Sequence, residues 1–232
     1  MRFHRVILLF GIFLLSLGFV FTIFYRSGLI LDSIGIHVDN PISRRINIPE
    51  DFSKVDRNNN GIPDPIDIVM AARKEVEKKT KYMSGYYAGG YPPNEEGVCT
   101  DIIWRGLMGA NINLKELMDE DIKMNTGEYA RVNGKPESNI DFRRVPNQYV
   151  FFERFTQSLT TELIPRDIEN LKQWQPGDIV VFLEGFHHVA IISDKRAKDG
   201  TPYIIHNSPP FAAEVKLKSI KTPIAGHYRW IY

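Results

Sequence analysis

The stretch that decides the fold is YYAGGYPPNEEGVCTDIIWR, residues 86–105. Its first half is rich in glycine and proline, which interrupt helices and central strands, so it predicts a loop. After Cys99 the pattern changes, because Ile102, Ile103 and Leu107 recur with the spacing of the buried face of a helix. The sequence therefore predicts a helix that begins at or near Cys99, at the end of a long loop.

Cys99 is the single cysteine of the 232 residues, so the chain forms no intramolecular disulfide. A thiol at a helix N-terminus lies near unpaired backbone amides and the positive end of the helix dipole, which favour the thiolate. This position predicts a lowered thiol pKa and a nucleophile. The alternative is a buried cysteine that acts as a small hydrophobic residue, the commoner role of a free cysteine.

The composition is that of one globular domain with one apolar end. Hydrophobic residues make up 43% of the chain and charged residues 25%, and the formal net charge is +1. The basic residues do not gather into a long cluster, so the sequence gives no reason to expect a nucleic-acid partner.

The apolar end is residues 6–25, which carry no charge and follow Arg2 and Arg5. Twenty helical residues rise about 30 Å, the thickness of a bilayer core. A secretory signal peptide would have a shorter apolar region and a small-residue cleavage site, which we do not find. We therefore expect a cytoplasmic tip and transmembrane anchor over residues 1–26, with the rest of the chain extracytoplasmic.

A stalk is predicted over residues 27–55. This segment contains Pro41 and Pro49 and shows no sustained periodicity, which is typical of a linker.

Residues 56–67, DRNNNGIPDPID, have the layout of an EF-hand-type calcium loop. Oxygen-bearing side chains fall at loop positions 1, 3, 5, 9 and 12, and glycine at position 6. The predicted ligands are Asp56, Asn58, Asn60, the carbonyl of Ile62, Asp64 and Asp67. Aspartate at position 12 and two prolines depart from the standard pattern, and the loop resembles those of dockerins and other extracellular calcium modules. We expect a structural calcium ion; the alternative is an Asx-rich turn that caps a helix.

The domain that follows, residues 68–232, is predicted to be α+β. Helices are expected at 66–83, after Cys99 and at 114–124, and strands at 179–183, 187–194, 202–207 and 226–232. Strands that follow a helical half predict helices packed on a small antiparallel sheet.

Histidines on the predicted strands offer a base for the thiol. A cysteine nucleophile needs a base within hydrogen-bond reach, and that base needs a third group to orient its ring. A hairpin brings His188 and His206 side by side. Asn207 competes with His206 for the third role, because successive strand residues face opposite ways and only one of the two can point toward His188.

Five short motifs stand in the order found in the NlpC-type papain-like cell-wall peptidases, which residues 82–232 resemble. The motifs are Tyr86-x-x-Gly89-Gly90, Cys99 opening a helix, Pro176-Gly177-Asp178 before a strand, His188-Val189-Ala190-Ile191, and Tyr203-Ile204-Ile205-His206. The segments VCTDIIWR and IHN resemble a bacterial branch of that clan known only as a domain of unknown function.

This resemblance implies a papain-like fold in which Cys99 is the nucleophile, His188 the general base and then acid, and His206 the orienting residue. It also implies that Tyr86 helps to position the site, with Asn207 as a further candidate for contact with substrate or oxyanion. The backbone amide of Cys99 would contribute to the oxyanion hole. The chain departs from the family's Asp-Cys-Ser-Gly at residues 98–101, where it reads VCTD.

The resulting functional hypothesis is a single-pass bacterial membrane protein whose extracytoplasmic domain is a cysteine hydrolase. Its expected substrates are amide or peptide bonds of peptidoglycan stem peptides, and catalysis needs no cofactor. One alternative is an acyltransferase or amidase that acts on another envelope substrate through the same residues. The other is a non-catalytic, calcium-dependent cell-surface binding module. The sequence does not indicate an oligomeric state.

Overall fold

The computed structural model describes residues 10–18, 32, 35–37, 39 and 43–232. Residues 10–18 are helical and mostly exposed. The rest of the predicted anchor over residues 6–25, and most of residues 27–42, lie outside the described residues. Among those that are described, no helix combines the length and apolar character needed to cross a bilayer.

Residues 43–55, the second half of the predicted stalk, contain no helix or strand but lie against the domain. The backbone amide of Ile46 donates to the carbonyl of Lys198 at 3.0 Å. Ile48 is buried, and Gln175 Nε2 donates to the carbonyl of Pro49 at 3.1 Å. This part of the stalk therefore packs on the domain.

Five α-helices follow within residues 43–232. They are α1 Asp64–Glu77, α2 Cys99–Gly109, α3 Leu114–Met124, α4 Val145–Phe155 and α5 Ile168–Leu171. Helix α2 begins at Cys99, as predicted. Helix α1 ends earlier than predicted because Lys79 adopts a φ of 54°, which turns the chain into a strand that contains Tyr82.

Eight strands form one sheet in the described chain. They are β1 Lys81–Tyr82, β2 Glu96–Gly97, β3 Thr156–Ser158, β4 Ile179–Phe182, β5 His188–Arg196, β6 Pro202–Ser208, β7 Phe211–Lys216 and β8 Gly226–Trp230. Their order is β2-β1-β7-β6-β5-β4-β8-β3, with β1 and β2 parallel and the other pairs antiparallel.

The α+β class is confirmed, but the expected small antiparallel sheet is wrong in extent and in type. The four predicted strands are β4, β5, β6 and β8, which are contiguous in the middle of the sheet. Strands β1 and β2 have two residues each, too few to show a period-2 pattern in the sequence. Their parallel pairing, Lys81 with Glu96 and Tyr82 with Gly97, makes the sheet mixed.

Two apolar clusters cover the two faces of the sheet. The larger one joins Ile102 and Ile103 of α2 to Val189 and Ile191 of β5. The smaller one lies on the opposite face and includes Trp174, with the alternate residues of β5, Ala190 and Ile192. A fully buried isoleucine contributes roughly 1.5–3 kcal/mol relative to an exposed one, so the larger cluster fixes α2 firmly on the sheet.

Two glycines let α2 approach its neighbours closely. A Cβ atom on Gly106 would lie 2.5 Å from Ile191 Cδ1, and one on Gly109 would lie 2.7 Å from the carbonyl oxygen of Asp67. A larger residue at Gly109 would require a shift of the backbone, and one at Gly106 would require the end of the Ile191 side chain to move. The glycines thus set how α2 crosses α1 and where Cys99 meets β5.

Candidate functional site

The thiol of Cys99 is almost fully buried at the first residue of α2. Its exposed fraction is 7%, and backbone N–H groups of Val189, Thr100 and Cys99 itself face the sulfur. Burial raises the pKa of Cys99 to about 11, which outweighs the lowering by these amides. The raised pKa of Cys99 contradicts the lowered pKa predicted from the helix N-terminus. The reason is that burial disfavours the thiolate by more than the backbone amides favour it.

The two candidate histidines are in direct contact. His188 Nε2 and His206 Nδ1 are 2.8 Å apart, the rings meet edge to face, and both side chains are buried. The two residues lie on the adjacent strands β5 and β6. The structure therefore brings together the predicted base and the predicted orienting residue.

Strand alternation decides between the two neighbours on β6. His206 lies on the same face as His188, and Asn207 points to the other face, on which α2 packs. Asn207 Nδ2 donates to the carbonyl of Gly97 at 3.0 Å, while its buried Oδ1 has no hydrogen-bond partner in the described chain. Asn207 thus contacts the segment before Cys99, and it is His206 that contacts His188.

Burial holds both imidazoles in the neutral form near pH 7. It lowers the pKa of His188 to about 4, and burial with the charge of His188 lowers the pKa of His206 to about 3. In the tautomer in which His188 Nε2 donates to His206, its Nδ1 carries a lone pair and can accept a proton. Among the described residues, no hydrogen bond is made by that Nδ1.

Cys99 packs against the start of β5, where His188 is the first residue. Among the described residues, no hydrogen bond joins the two side chains. The sulfur faces the backbone amide of Val189, the residue after His188. By alternation the His188 ring lies on the face of Ala190, opposite to α2. The half-exposed Phe186 lies beside it, with ring centroids 5.5 Å apart. The resting arrangement is therefore a neutral thiol and a neutral imidazole at the start of β5.

Tyr86, predicted to help form the site, is 59% exposed, and its hydroxyl bonds to Glu137 and Asn139. The tyrosine that is coupled electrostatically to Cys99 is Tyr82. Burial raises the pKa of Tyr82, and the charge of Cys99 raises it further. Tyr82 was not predicted as a site residue, because the sequence pattern placed Tyr82 at the end of the first helix. In the structure Tyr82 lies in the short strand β1.

A buried ion pair that the sequence analysis missed holds the N-terminus of α2. Asp101 accepts from the Val98 amide at 2.7 Å and from Arg143 Nε and Nη2 at 2.7 and 2.9 Å. Trp104 Nε1 also donates to Asp101, and Arg143 Nη1 donates to the carbonyl of Gly85. An acidic residue three positions after the N-cap is a capping signal, but its arginine partner comes from a distant turn.

The three aspartates of the predicted calcium loop converge. Asp56, Asp64 and Asp67 each place one carboxylate oxygen within 4.8 Å of the others. Asp64 and Asp67 are buried. Arg57 Nε lies 3.6 Å from Asp64 Oδ2, and the Arg57 amide donates to Asp64 Oδ1.

The amide residues of this loop lie against the same carboxylates. Asn58 Nδ2 and Asn60 Nδ2 donate to Asp67 at 2.8 and 3.0 Å. The Ile62 amide donates to Asn60 Oδ1, and Asn58 Nδ2 also donates to the carbonyl of Gly109. The loop therefore sits at the C-terminal end of α2, about 15 Å from Cys99 along the helix, too far to take part in the same chemistry.

Residues 69–230 match the family described as a domain of unknown function, DUF1287. The chain belongs to this family. The DUF1287 chain is also 36% identical over 171 residues to "Uncharacterized protein YijF" of Escherichia coli strain K12, covering 70% of this chain and 80% of that protein. No solved structure gives a significant match. A bacterial domain of unknown function is thus shown, as expected, whereas its place in the NlpC-type clan stays a proposal.

Proposed function

We propose that this DUF1287 protein is a cysteine hydrolase of the bacterial cell envelope, with an NlpC-type papain-like fold and peptidoglycan stem peptides as its substrate class. The observation that carries the proposal is the buried contact between His188 and His206 at the strand end that Cys99 also meets. Cysteine at a helix start, followed by histidines on two adjacent strands, is the arrangement that the resemblance implies. The helices on one face of the sheet support the same fold.

The reaction would begin when the Cys99 sulfur attacks the carbonyl carbon of an amide. For this step His188, the first residue of β5, has to reach the sulfur around the end of the strand, where its Nδ1 takes the thiol proton as the sulfur–carbon bond forms, while His206 contacts the ring through Nε2. The backbone amide of Cys99 donates to the developing oxyanion. The proton then passes from His188 to the departing amine, and water releases the acyl group from the thioester.

The position in the cell is part of the proposal. The uncharged residues 6–25, preceded by Arg2 and Arg5, support a single-pass membrane anchor with the domain on the extracytoplasmic side. Peptidoglycan is an amide-rich substrate within reach of such a domain.

The test is digestion of isolated bacterial cell walls by the purified full chain in detergent. We expect the wild-type protein to release fragments with new amino or carboxyl termini, detected by mass spectrometry. The Cys99→Ala variant should release none above background, because the thioester cannot form. Equal release by the two proteins would exclude the cysteine mechanism.

One observation favours a second candidate, a non-catalytic surface-binding module. The Cys99 thiol is buried and its pKa is raised to about 11, which suits an unreactive cysteine. This candidate predicts that iodoacetamide fails to label Cys99 near neutral pH and that no acyl adduct forms on Cys99 when cell-wall fragments are added. The hydrolase predicts that substrate protects or traps the thiol, with an acyl adduct on Cys99 visible by mass spectrometry.

An acyltransferase would use the same thioester. Its product differs, because an added amine rather than water accepts the acyl group. Digestion with and without a free amino acid separates the two activities: a hydrolase gives the free acid in both cases.

A further inference from the structure

The geometry points to a calcium site formed by residues 56–67, whose ion fixes the end of α2 opposite Cys99. This inference does not rest on the proposed hydrolase activity. It concerns a separate part of the molecule, the loop before α1, and a different chemistry, the binding of a hard cation by oxygen ligands.

The first observation is the convergence of negative charge. Asp56, Asp64 and Asp67 bring carboxylate oxygens within 4.8 Å of one another, and two of these side chains are removed from water. Like charges at such separations repel strongly where water is excluded. A cation at their centre would convert this repulsion into attraction.

The second observation concerns one buried oxygen. Asp64 is 0% exposed, and its Oδ2 has no hydrogen-bond donor among the described residues. Arg57 Nε, at 3.6 Å, is beyond hydrogen-bond distance, and the Arg57 side chain is itself exposed. A buried carboxylate oxygen without a donor is costly unless it binds a cation, and Asp64 is one of the three residues that face the common centre.

The donor set decides the class of metal. The three carboxylates, the side-chain oxygens of Asn58 and Asn60 and the carbonyl of Ile62 would supply six oxygens. The amide groups of Asn58 and Asn60 already contact Asp67, and a 180° rotation exchanges their NH₂ and C=O groups. Hard oxygen ligands supplied wholly by protein suit Ca²⁺, whereas Mg²⁺ retains several waters.

The loop is coupled to α2 by direct contacts. Asn58 Nδ2 donates to the carbonyl of Gly109, the last residue of α2, at 3.0 Å. The carbonyl oxygen of Asp67 lies so close to Gly109 that a Cβ there would be 2.7 Å away. Without an ion, Asn58 and Asp67 therefore both contact the helix end. Rotation of the Asn58 amide toward an ion would break its bond to Gly109, so the coupling of a bound ion to Gly109 runs through Asp67.

The test is calcium titration of the full chain after treatment with EDTA and its removal. Calorimetry should detect one calcium ion per chain. At free calcium about 100 times the Kd, the melting temperature should rise by about 5–10 °C. No heat together with an unchanged melting temperature would overturn the proposal, and so would equal binding of magnesium. No substrate is present, so the result is independent of any hydrolase activity.

The matched variants are Asp56→Asn and Asp51→Asn. Asp56 is half-buried, and its two carboxylate oxygens accept from the Asn60 and Gly61 amides; an asparagine there keeps one oxygen and so retains one of these two hydrogen bonds while removing the charge. Asp51 is exposed and lies outside the loop. We expect Asp56→Asn to weaken calcium binding at least tenfold and Asp51→Asn to leave it unchanged. Equal affinity of Asp56→Asn and the wild type would overturn the ligand assignment.

Coupling to α2 has its own readout. Calcium should slow backbone amide hydrogen exchange in the peptide that spans residues 105–112. An exchange rate that calcium leaves unchanged there, in a protein that binds the ion, would overturn the proposed effect on the helix end.

Discussion

The two ends of helix α2 differ in the charge of the groups that are buried around them. At the N-terminal end, burial keeps the Cys99 thiol and the His188 imidazole neutral, so this end carries groups that can exchange a proton. At the C-terminal end, Gly109 contacts a loop whose three aspartates gather negative charge. In our proposals the first environment serves proton transfer and the second binds a cation, and helix α2 joins them. We therefore expect that each end of α2 can be perturbed without the other.

The largest effect is expected from His188→Ala. If His188 is the proposed base, its loss should lower kcat/KM on cell-wall substrate about 10³-fold or more, equivalent to about 4 kcal/mol of transition-state stabilisation. His187→Ala is the matched control, because His187 is exposed and precedes β5; its activity should stay within a few-fold of wild type. Similar losses of kcat/KM in both variants would show that His188 has no specific catalytic role.

Arg143→Ala should destabilise the domain by roughly 3–5 kcal/mol, because it leaves the buried Asp101 carboxylate without its charge partner. Lys172→Ala removes a partner of the exposed Glu169 and should cost about 0–1 kcal/mol. Urea unfolding followed by tryptophan fluorescence measures both. A small effect of Arg143→Ala would mean that the N-terminus of α2 is held by its apolar packing alone.

Acidic pH should destabilise the folded protein, because His188 and His206 are buried as neutral imidazoles. The pKa of His188 is about 4 and that of His206 about 3 in the folded state, against about 6.5 in the unfolded chain. The unfolded chain therefore binds more protons below pH 6.5 or so, and stability present above that pH is lost as the pH falls toward about 4, by on the order of a few kcal/mol.

The variant His188→Gln combined with His206→Gln should flatten this pH dependence, measured by urea unfolding between about pH 7 and 4. His187→Gln should leave the dependence unchanged. If the double variant loses stability in acid as steeply as wild type, other groups carry the effect.

The smallest effect on activity is expected from removal of calcium. EDTA should lower the melting temperature by the 5–10 °C or so proposed above but change kcat/KM less than about threefold at temperatures well below melting. The reason is the separation of about 15 Å along α2. A loss of activity in parallel with the melting temperature would show that the calcium loop and the Cys99 end of α2 act together. Added magnesium, which should not restore the melting temperature, is the control.

Local patterns predicted much of the framework. The change from glycine and proline to a helical period placed the start of α2 at Cys99, and the runs at 179–183 and 202–207 match β4 and β6 closely. These predictions succeeded because each depends on neighbours in the sequence. The oxygen spacing of residues 56–67 likewise placed three aspartates around one point, although calcium itself stays a prediction.

Contacts between distant segments left no such pattern. Tyr82 pairs with Gly97 in a strand of two residues, and Arg143 reaches Asp101 across 42 positions. Strand β7 was missed as well, although its pairing with both β6 and β1 makes it an interior strand of the sheet. Nothing in the sequence near Asp101 indicates that an arginine so far away will be its partner.

The sequence alone determined the chemical candidates: one thiol at a helix start, histidines on consecutive strands and a loop of oxygen ligands. Only the tertiary structure decided how these groups behave. It buried Cys99 and so raised its pKa, and the register of β5 with β6 placed His206 rather than Asn207 on His188. The physical reason is that the burial of a residue, and the sheet face to which its side chain points, depend on the segments packed around it. Its sequence neighbours do not specify those segments.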